Sequence, residues 1–144
     1  MTGMVRVMPK LQIGLEWNIA VDEVDPLATW FLTTESEHRP ALFLGTSSDR
    51  IGSPKGKQAY YLTAAKRLPV VPIAPYVSLN YSEWDDGFNV PFGANIDLSR
   101  GFSMQPMYDG NRGHLLASFA TQRASVTLIW AWFETPGIAM SYGF

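Results

Sequence analysis

The chain is expected to be all-β, an antiparallel up-and-down (meander) β-barrel of about ten strands. Three observations carry that expectation. Large apolar residues alternate with small or polar ones through most of the 144 residues, the period of a strand and not of a helix. Clusters of Gly, Pro, Asp, Asn and Ser cut the alternation at short intervals. The last seven residues, Ile138 to Phe144 (I-A-M-S-Y-G-F), place Ile138, Met140, Tyr142 and Phe144 on one face and Ala139, Ser141 and Gly143 on the other. One face of that strand is wholly apolar, and the other has almost no volume.

The elements follow in order. Val5 to Ile19 reads as one long strand, with Val5, Val7, Leu11, Ile13, Leu15, Trp17 and Ile19 opposite Arg6, Lys10, Gln12, Gly14, Glu16 and Asn18. Asp22 to Pro26 is a turn. Leu27 to Glu35 is β-branched and aromatic, with Trp30 and Leu32 sharing a face, and Ser36 to Pro40 turns the chain. Ala41 to Ser48 is a weaker strand. Asp49 to Lys57 is the longest loop. Gln58 to Arg67 mixes a strand-forming Tyr60-Tyr61-Leu62-Thr63 with a helix-forming Ala64-Ala65-Lys66-Arg67, and its position between strands decides for strand.

After the turn Leu68 to Pro72 the alternation sharpens. Ile73, Pro75, Val77, Leu79 and Tyr81 oppose Ala74, Tyr76, Ser78, Asn80 and Ser82. Asp85-Asp86-Gly87 makes a hairpin turn. Phe88 to Ser99 is a strand, and Ser99-Arg100-Gly101 turns into Phe102 to Tyr108. Asp109-Gly110-Asn111 turns into His114 to Gln122. Arg123-Ala124 leads to a strand with Val126, Leu128, Trp130 and Trp132 on one face. Thr135-Pro136-Gly137 is the last turn. Closing such a meander removes its edges, which otherwise invite aggregation.

The length suits a single domain over residues 1–144, with the alternative that the chain is the carboxy-terminal part of a longer barrel. Cysteine is absent, so disulfides and thiolate metal sites are excluded. The formal charge of −2 argues against nucleic acid, which needs a concentrated basic face. Charged residues make up 17% of the chain, below the roughly 25% of soluble domains. No apolar run of ~18 residues offers a transmembrane helix. Met1 to Lys10 lacks the basic, apolar and cleavage regions of a signal peptide, which leaves three expectations: a leader removed, a longer barrel of which this is the carboxy-terminal part, or a fold other than a membrane barrel.

Alternation alone does not say which face looks inward. The polar faces of the clearest strands carry Gly, Ser, Asn, Ala and Thr, as in a narrow interior; a face in water favours Lys, Glu and Arg. The strand charges Arg6, Lys10, Glu16 and Asp97 all fall on that polar face. With Asn95 they form the expected lumen cluster, which is read as an ion-pair plug ahead of a selective pore or a small-ligand site. Counted back from the carboxy-terminus, turns on one side carry Asp22, Glu23, Asp25, Asp49, Glu83, Asp85, Asp86, Asp109 and Glu134 against Arg50, Lys55, Lys57 and Arg112. Those on the other carry Glu35 and Glu37 against Arg39, Lys66, Arg67, Arg100 and Arg123. Trp17, Trp30, Trp84, Trp130 and Trp132 are expected near the acidic side, and Phe102, Tyr142 and Phe144 near the other, as interfacial aromatics would be.

In these features the chain resembles bacterial outer-membrane β-barrel proteins as a class. Ile138, Met140, Tyr142 and Phe144 resemble the carboxy-terminal signal that such proteins offer to the barrel-assembly machinery. The resemblance implies the outer membrane as location, membrane lipid, lipopolysaccharide and the assembly machinery as partners, and a structural or limited passive-transport role. Two alternatives stand beside it: a soluble β-barrel or sandwich binding an apolar ligand, and a fragment of a larger porin-like or polysaccharide-export barrel.

No catalysis, cofactor or metal is expected. A nucleophilic serine needs a histidine in hydrogen-bond reach. His38 sits in a turn beside Glu35 and Glu37. His114 and Ser118 share a face, but four residues along a strand is ~13 Å. Ser103, Ser125 and Thr127 are left as conceivable partners on neighbouring strands. The acidic groups Asp22, Glu23, Asp25 and Glu83, Asp85, Asp86 lack the spacing of a calcium loop.

Overall fold

The computed structural model describes residues 2–18, 22–49 and 53–142, the side chains of Thr2, Ser141 and Tyr142 excepted. These residues form an antiparallel meander without helix. Its strands are β1 (Thr2–Met8), β2 (Leu11–Asn18), β3 (Glu23–Thr33), β4 (Ala41–Ser48), β5 (Gln58–Ala65), β6 (Ile73–Ser82), β7 (Gly87–Asn89), β8 (Phe92–Ser99), β9 (Phe102–Tyr108), β10 (Gly113–Ala120), β11 (Ala124–Ala131) and β12 (Thr135–Tyr142). The order is sequential from β1 to β12, save that the short β7 pairs with β6 off the main path. The chain divides into two compact units, Met1–Ala65 with Val77–Val90, and Lys66–Tyr76 with Pro91–Phe144.

The sheet has twelve strands where ten were expected, and both additions have a local cause. Val5 to Ile19 is not one strand. It is a hairpin turning at Pro9-Lys10, with Met8 opposite Leu11 and Val5 opposite Ile13. A bulge between Arg6 and Met8 shifts the register by one. That shift keeps odd-numbered residues on the same face of both strands, so the alternation runs through the turn and conceals it. Phe88 to Ser99 is broken at Val90-Pro91, where proline cannot donate to a ladder. Gln58–Ala65 is a strand, as its position implied.

Two expected turns are strand instead. Glu23 to Pro26 belongs to β3, with Asp25 opposite Glu16 and Pro26 opposite Leu15. The β3–β4 register begins only at Ala28 opposite Thr46, so Pro26 sits where its missing N–H breaks no second ladder. Thr135, Pro136 and Gly137 open β12, opposite Ala131, Trp130 and Ile129. The turn before them is Trp132-Phe133-Glu134, closed by the Glu134 N–H donating to the Ala131 carbonyl at 3.0 Å. Trp132 and Phe133 have φ of 56° and 58°, a left-handed pair that hairpins ordinarily fill with Asn and Gly. Bulky residues there carry strain, and both rings are held. Phe133 packs on Trp130 at 5.9 Å, and the Arg112 guanidinium lies 4.7 Å from the Trp132 ring centre.

Burial follows the strand period in much of the sheet, the apolar side of the strands being the more exposed. Among the described residues thirty large apolar side chains are exposed, while the buried apolar set is Leu27, Ala59 and Ala131. Six polar residues are buried: Asp25, Asp49, Thr63, Ser78, Ser82 and His114. In the first unit Leu15, Val24, Trp30, Val77, Leu79 and Phe88 face outward. Its inner face holds Phe31, Phe43 and Tyr61 in successive ring contacts of 5.6 and 6.3 Å. The Tyr61 hydroxyl bonds Thr29 Oγ1 at 3.0 Å. Gly45 is the floor beneath that hydroxyl: a Cβ there would stand 2.2 Å from the Ala28 carbonyl oxygen, so only glycine fits. In the second unit Leu98, Phe102, Leu128, Trp130, Ile138 and Met140 face outward. Ser103, Ser118 and Thr127 lie in one row on its polar face.

Candidate functional site

The most extensive chemical feature is the outward apolar surface. Across β10, β11 and β12 it runs in rows, Leu115 beside Trp130 and Pro136, then Ala117 beside Leu128 and Ile138. Two residues of the expected assembly signal stand on it, Ile138 at 65% and Met140 at 76% exposure. The Tyr142 side chain and all of Phe144 lie outside the described residues, as does Ile19 of the first expected strand.

The tryptophans expected at an interface divide. Trp17 pairs with Val24 at the end of β2 that leads into the acidic turn of Asp22. Trp84 lies in the turn after β6. Trp130 adjoins the β11–β12 turn, and Trp132 is inside that turn, not in the strand. Trp30 departs from expectation. It pairs with Leu11, beside the Pro9-Lys10 turn, at the opposite end of the first unit from Trp17. The cause is the early start of β3, which places residue 30 past the strand's midpoint.

Three of the five polar residues expected in the lumen have individual partners for their side chains. Lys10 is in a turn, not inside a strand, and its ammonium reaches the Leu32 carbonyl at 3.4 Å. Arg6 is on exposed β1 opposite Gln12. Glu16 is half-buried and accepts from Ser48 Oγ at 2.7 Å. In the second unit Asp97 pairs at 2.6 Å with Arg67, a residue beyond the end of β5, and Asn95 is exposed on β8. The Arg67–Asp97 pair is half-exposed, so its contribution is small.

The well-built polar groups sit elsewhere. In the first unit Asp49 Oδ2 accepts from Ser82 Oγ at 2.7 Å and from the Trp84 N–H at 3.2 Å, while Ser82 Oγ accepts the Asp85 N–H at 3.1 Å. Ser82 is completely buried. Glu83 accepts from the Gln58 N–H and the Tyr60 hydroxyl, and Thr63 bonds Ser78 at 2.6 Å. Asp49 and Ser82 continue the inward parity of their strands, the one signal in the sequence that marks them.

In the second unit Asp109 gathers the turn after β9. Its Oδ1 accepts the N–H groups of Asn111 and Arg112 at 2.8 and 2.7 Å. Its Oδ2 accepts from His114 Nε2 at 2.7 Å. Burial alone would raise the Asp109 carboxyl. The Arg112 N–H, the His114 ring and the Asn111 N–H outweigh it and hold the group below its ordinary value. His114 is 4% exposed, and its Nδ1 has no hydrogen-bond partner among the described residues.

An Asp–His pair is two parts of a hydrolytic triad, but the register supplies no nucleophile. His114 faces Met107 and Ala131 across its two ladders. Ser103 and Thr127 lie opposite Ser118, and Ser125 lies opposite Ala120. Each is therefore four or more residues along the strand from His114, ~13 Å or further. Ser118 and Thr127 are bonded to each other at 2.8 Å. The pair braces the β9–β10 turn. Among the described residues no three His, Asp or Glu side chains converge on a metal-ion position. The chain matches no protein-family model, no curated protein and no solved structure.

Proposed function

We propose that this chain is an outer-membrane β-barrel protein with a structural or limited passive-transport role and no catalysis. The observation that carries the reading is the inverted burial. Single exposed apolar residues are ordinary on a soluble protein, but a contiguous apolar surface is not. Here thirty large apolar side chains are exposed and six polar residues are buried among the described residues. Lipid is the solvent that stabilises such an arrangement. A soluble barrel that binds an apolar ligand needs the opposite, an apolar interior. The alternating charge of the turns supports the same reading, and Lys10 in the β1–β2 turn adds a base to the basic side.

Detergent dependence tests the reading. The protein is expected to aggregate from denaturant into plain buffer. Into detergent micelles or lipid vesicles it is expected to refold, with a strand-type circular dichroism spectrum and protease resistance. A soluble, folded monomer without detergent contradicts it.

A further inference from the structure

The outward face of the second unit is not smooth. A groove of about 810 Å³ opens between β10, β11 and β12, within the range of small-ligand sites. Its walls are Leu115, Leu128, Trp130, Pro136 and Ile138, and it dips where Ala117 replaces a larger side chain. Its lining is almost wholly apolar, so hydrocarbon fits it and a polar ligand does not.

The end of the groove toward the 109–112 and 132–134 turns differs in character. Trp130 and Phe133 stack at that rim, and Arg112 rests on Trp132. Arg112 is three residues before Leu115, ~10 Å along the strand. Among the described residues its guanidinium has no carboxylate partner. The nearby carboxylate of Asp109 is occupied by the His114 ring and by two backbone N–H groups. The ring holding Arg112 in place belongs to a left-handed residue. Such strain persists where surrounding structure enforces it, and it gathers at ligand clamps.

We propose that this groove binds one acyl chain of an anionic phospholipid, with Arg112 on the phosphate. The occupant follows from complementarity: an apolar trough lies next to a turn that carries an exposed arginine with no carboxylate partner among the described residues. A zwitterionic phospholipid carries its own cation beside the phosphate and matches Arg112 less well. Free inorganic phosphate leaves the trough empty. The inference rests on the membrane reading above, and it goes further by fixing a position and a lipid charge.

The test is native mass spectrometry of the protein refolded in detergent and titrated with phosphatidylglycerol or phosphatidylcholine. The wild type is expected to retain phosphatidylglycerol preferentially, and excess inorganic phosphate is expected not to displace it. Arg112→Gln is expected to weaken retention roughly fivefold, one interfacial cation's share, and to erase the preference over phosphatidylcholine. Ala117→Leu, which fills the trough, is expected to reduce retention of both lipids. Equal retention by wild type and Arg112→Gln, each with an unchanged strand-type spectrum, overturns the proposal even if Ala117→Leu misfolds. Displacement by inorganic phosphate also overturns it, because the trough then contributes nothing. A chain that is folded and monomeric without detergent overturns the membrane reading instead, which separates the two failures.

Discussion

Leu128→Arg is expected to destabilise the protein in lipid vesicles by ~2–4 kcal/mol, the depth-dependent cost of an arginine on the lipid face near mid-bilayer. Leu128 stands in the middle of β11, between Ala117 and Ile138, and is 56% exposed. In water the same change at so exposed a position stays within about 0.5 kcal/mol. The size of the effect therefore reports which solvent the face meets. Equilibrium denaturant unfolding in vesicles measures it, with Leu128→Ala separating lost packing from added charge. A neutral Leu128→Arg in a lipid-refolded protein places this face away from the hydrocarbon.

Asp109→Ala is expected to cost ~1–3 kcal/mol, the penalty for leaving a buried polar partner unsatisfied. The carboxylate accepts three hydrogen bonds, and its removal leaves the buried His114 ring and two turn N–H groups without it. The pH dependence has a definite sign. Asp109 is depressed in the folded state, so its contribution is complete above the ordinary value of 3.8 and is lost as pH falls through the lower folded value. Wild-type stability should accordingly fall below about pH 4 more steeply than that of Asp109→Asn. Parallel denaturant curves of the two proteins between pH 6 and pH 3 in the same detergent make the comparison; coincident pH profiles would mean that Asp109 contributes nothing as a charge.

Much of this fold was legible because large apolar residues alternate with small or polar ones along most strands. A period of two at Val77, Leu79 and Tyr81, or at Val126, Leu128 and Trp130, survives any error in the turns. The turns themselves were less legible. Asp-Pro at residues 25–26 and Thr-Pro-Gly at 135–137 carry turn chemistry, yet both lie in strands. Proline is tolerated where one ladder is absent, and among the described residues β12 is paired with β11 alone. The true β11–β12 turn uses Trp132 and Phe133, which no turn rule selects; tertiary ring contacts with Arg112 and Trp130 hold them there. The Pro9-Lys10 hairpin was hidden by a bulge that restores parity.

The candidate site was legible only in its coarse part. The outward row of Ile138 and Met140 follows from alternation. The lumen set of Arg6, Lys10, Glu16, Asn95 and Asp97 was chosen by face alone, and face does not determine partners. Arg67 reaches Asp97 from beyond the end of its strand, and Lys10 leaves the sheet at a turn. The Asp109–His114 pair needs the curl of the 109–112 turn to bring residues five apart within 2.7 Å. The dip at Ala117 needs the register of three strands.

The absence of cysteine makes the decisive measurement simple. Single cysteines at each position from Ser125 to Ala131 can carry a nitroxide label in the vesicle-refolded protein. The accessibility of each label to oxygen, which partitions into lipid, is then compared with its accessibility to a water-soluble nickel chelate. The account predicts oxygen maxima at Val126, Leu128 and Trp130 and minima at Ser125, Thr127 and Ile129. Nickel accessibility dominating at Val126, Leu128 and Trp130, or no alternation at all, would contradict the claim that lipid covers the apolar face.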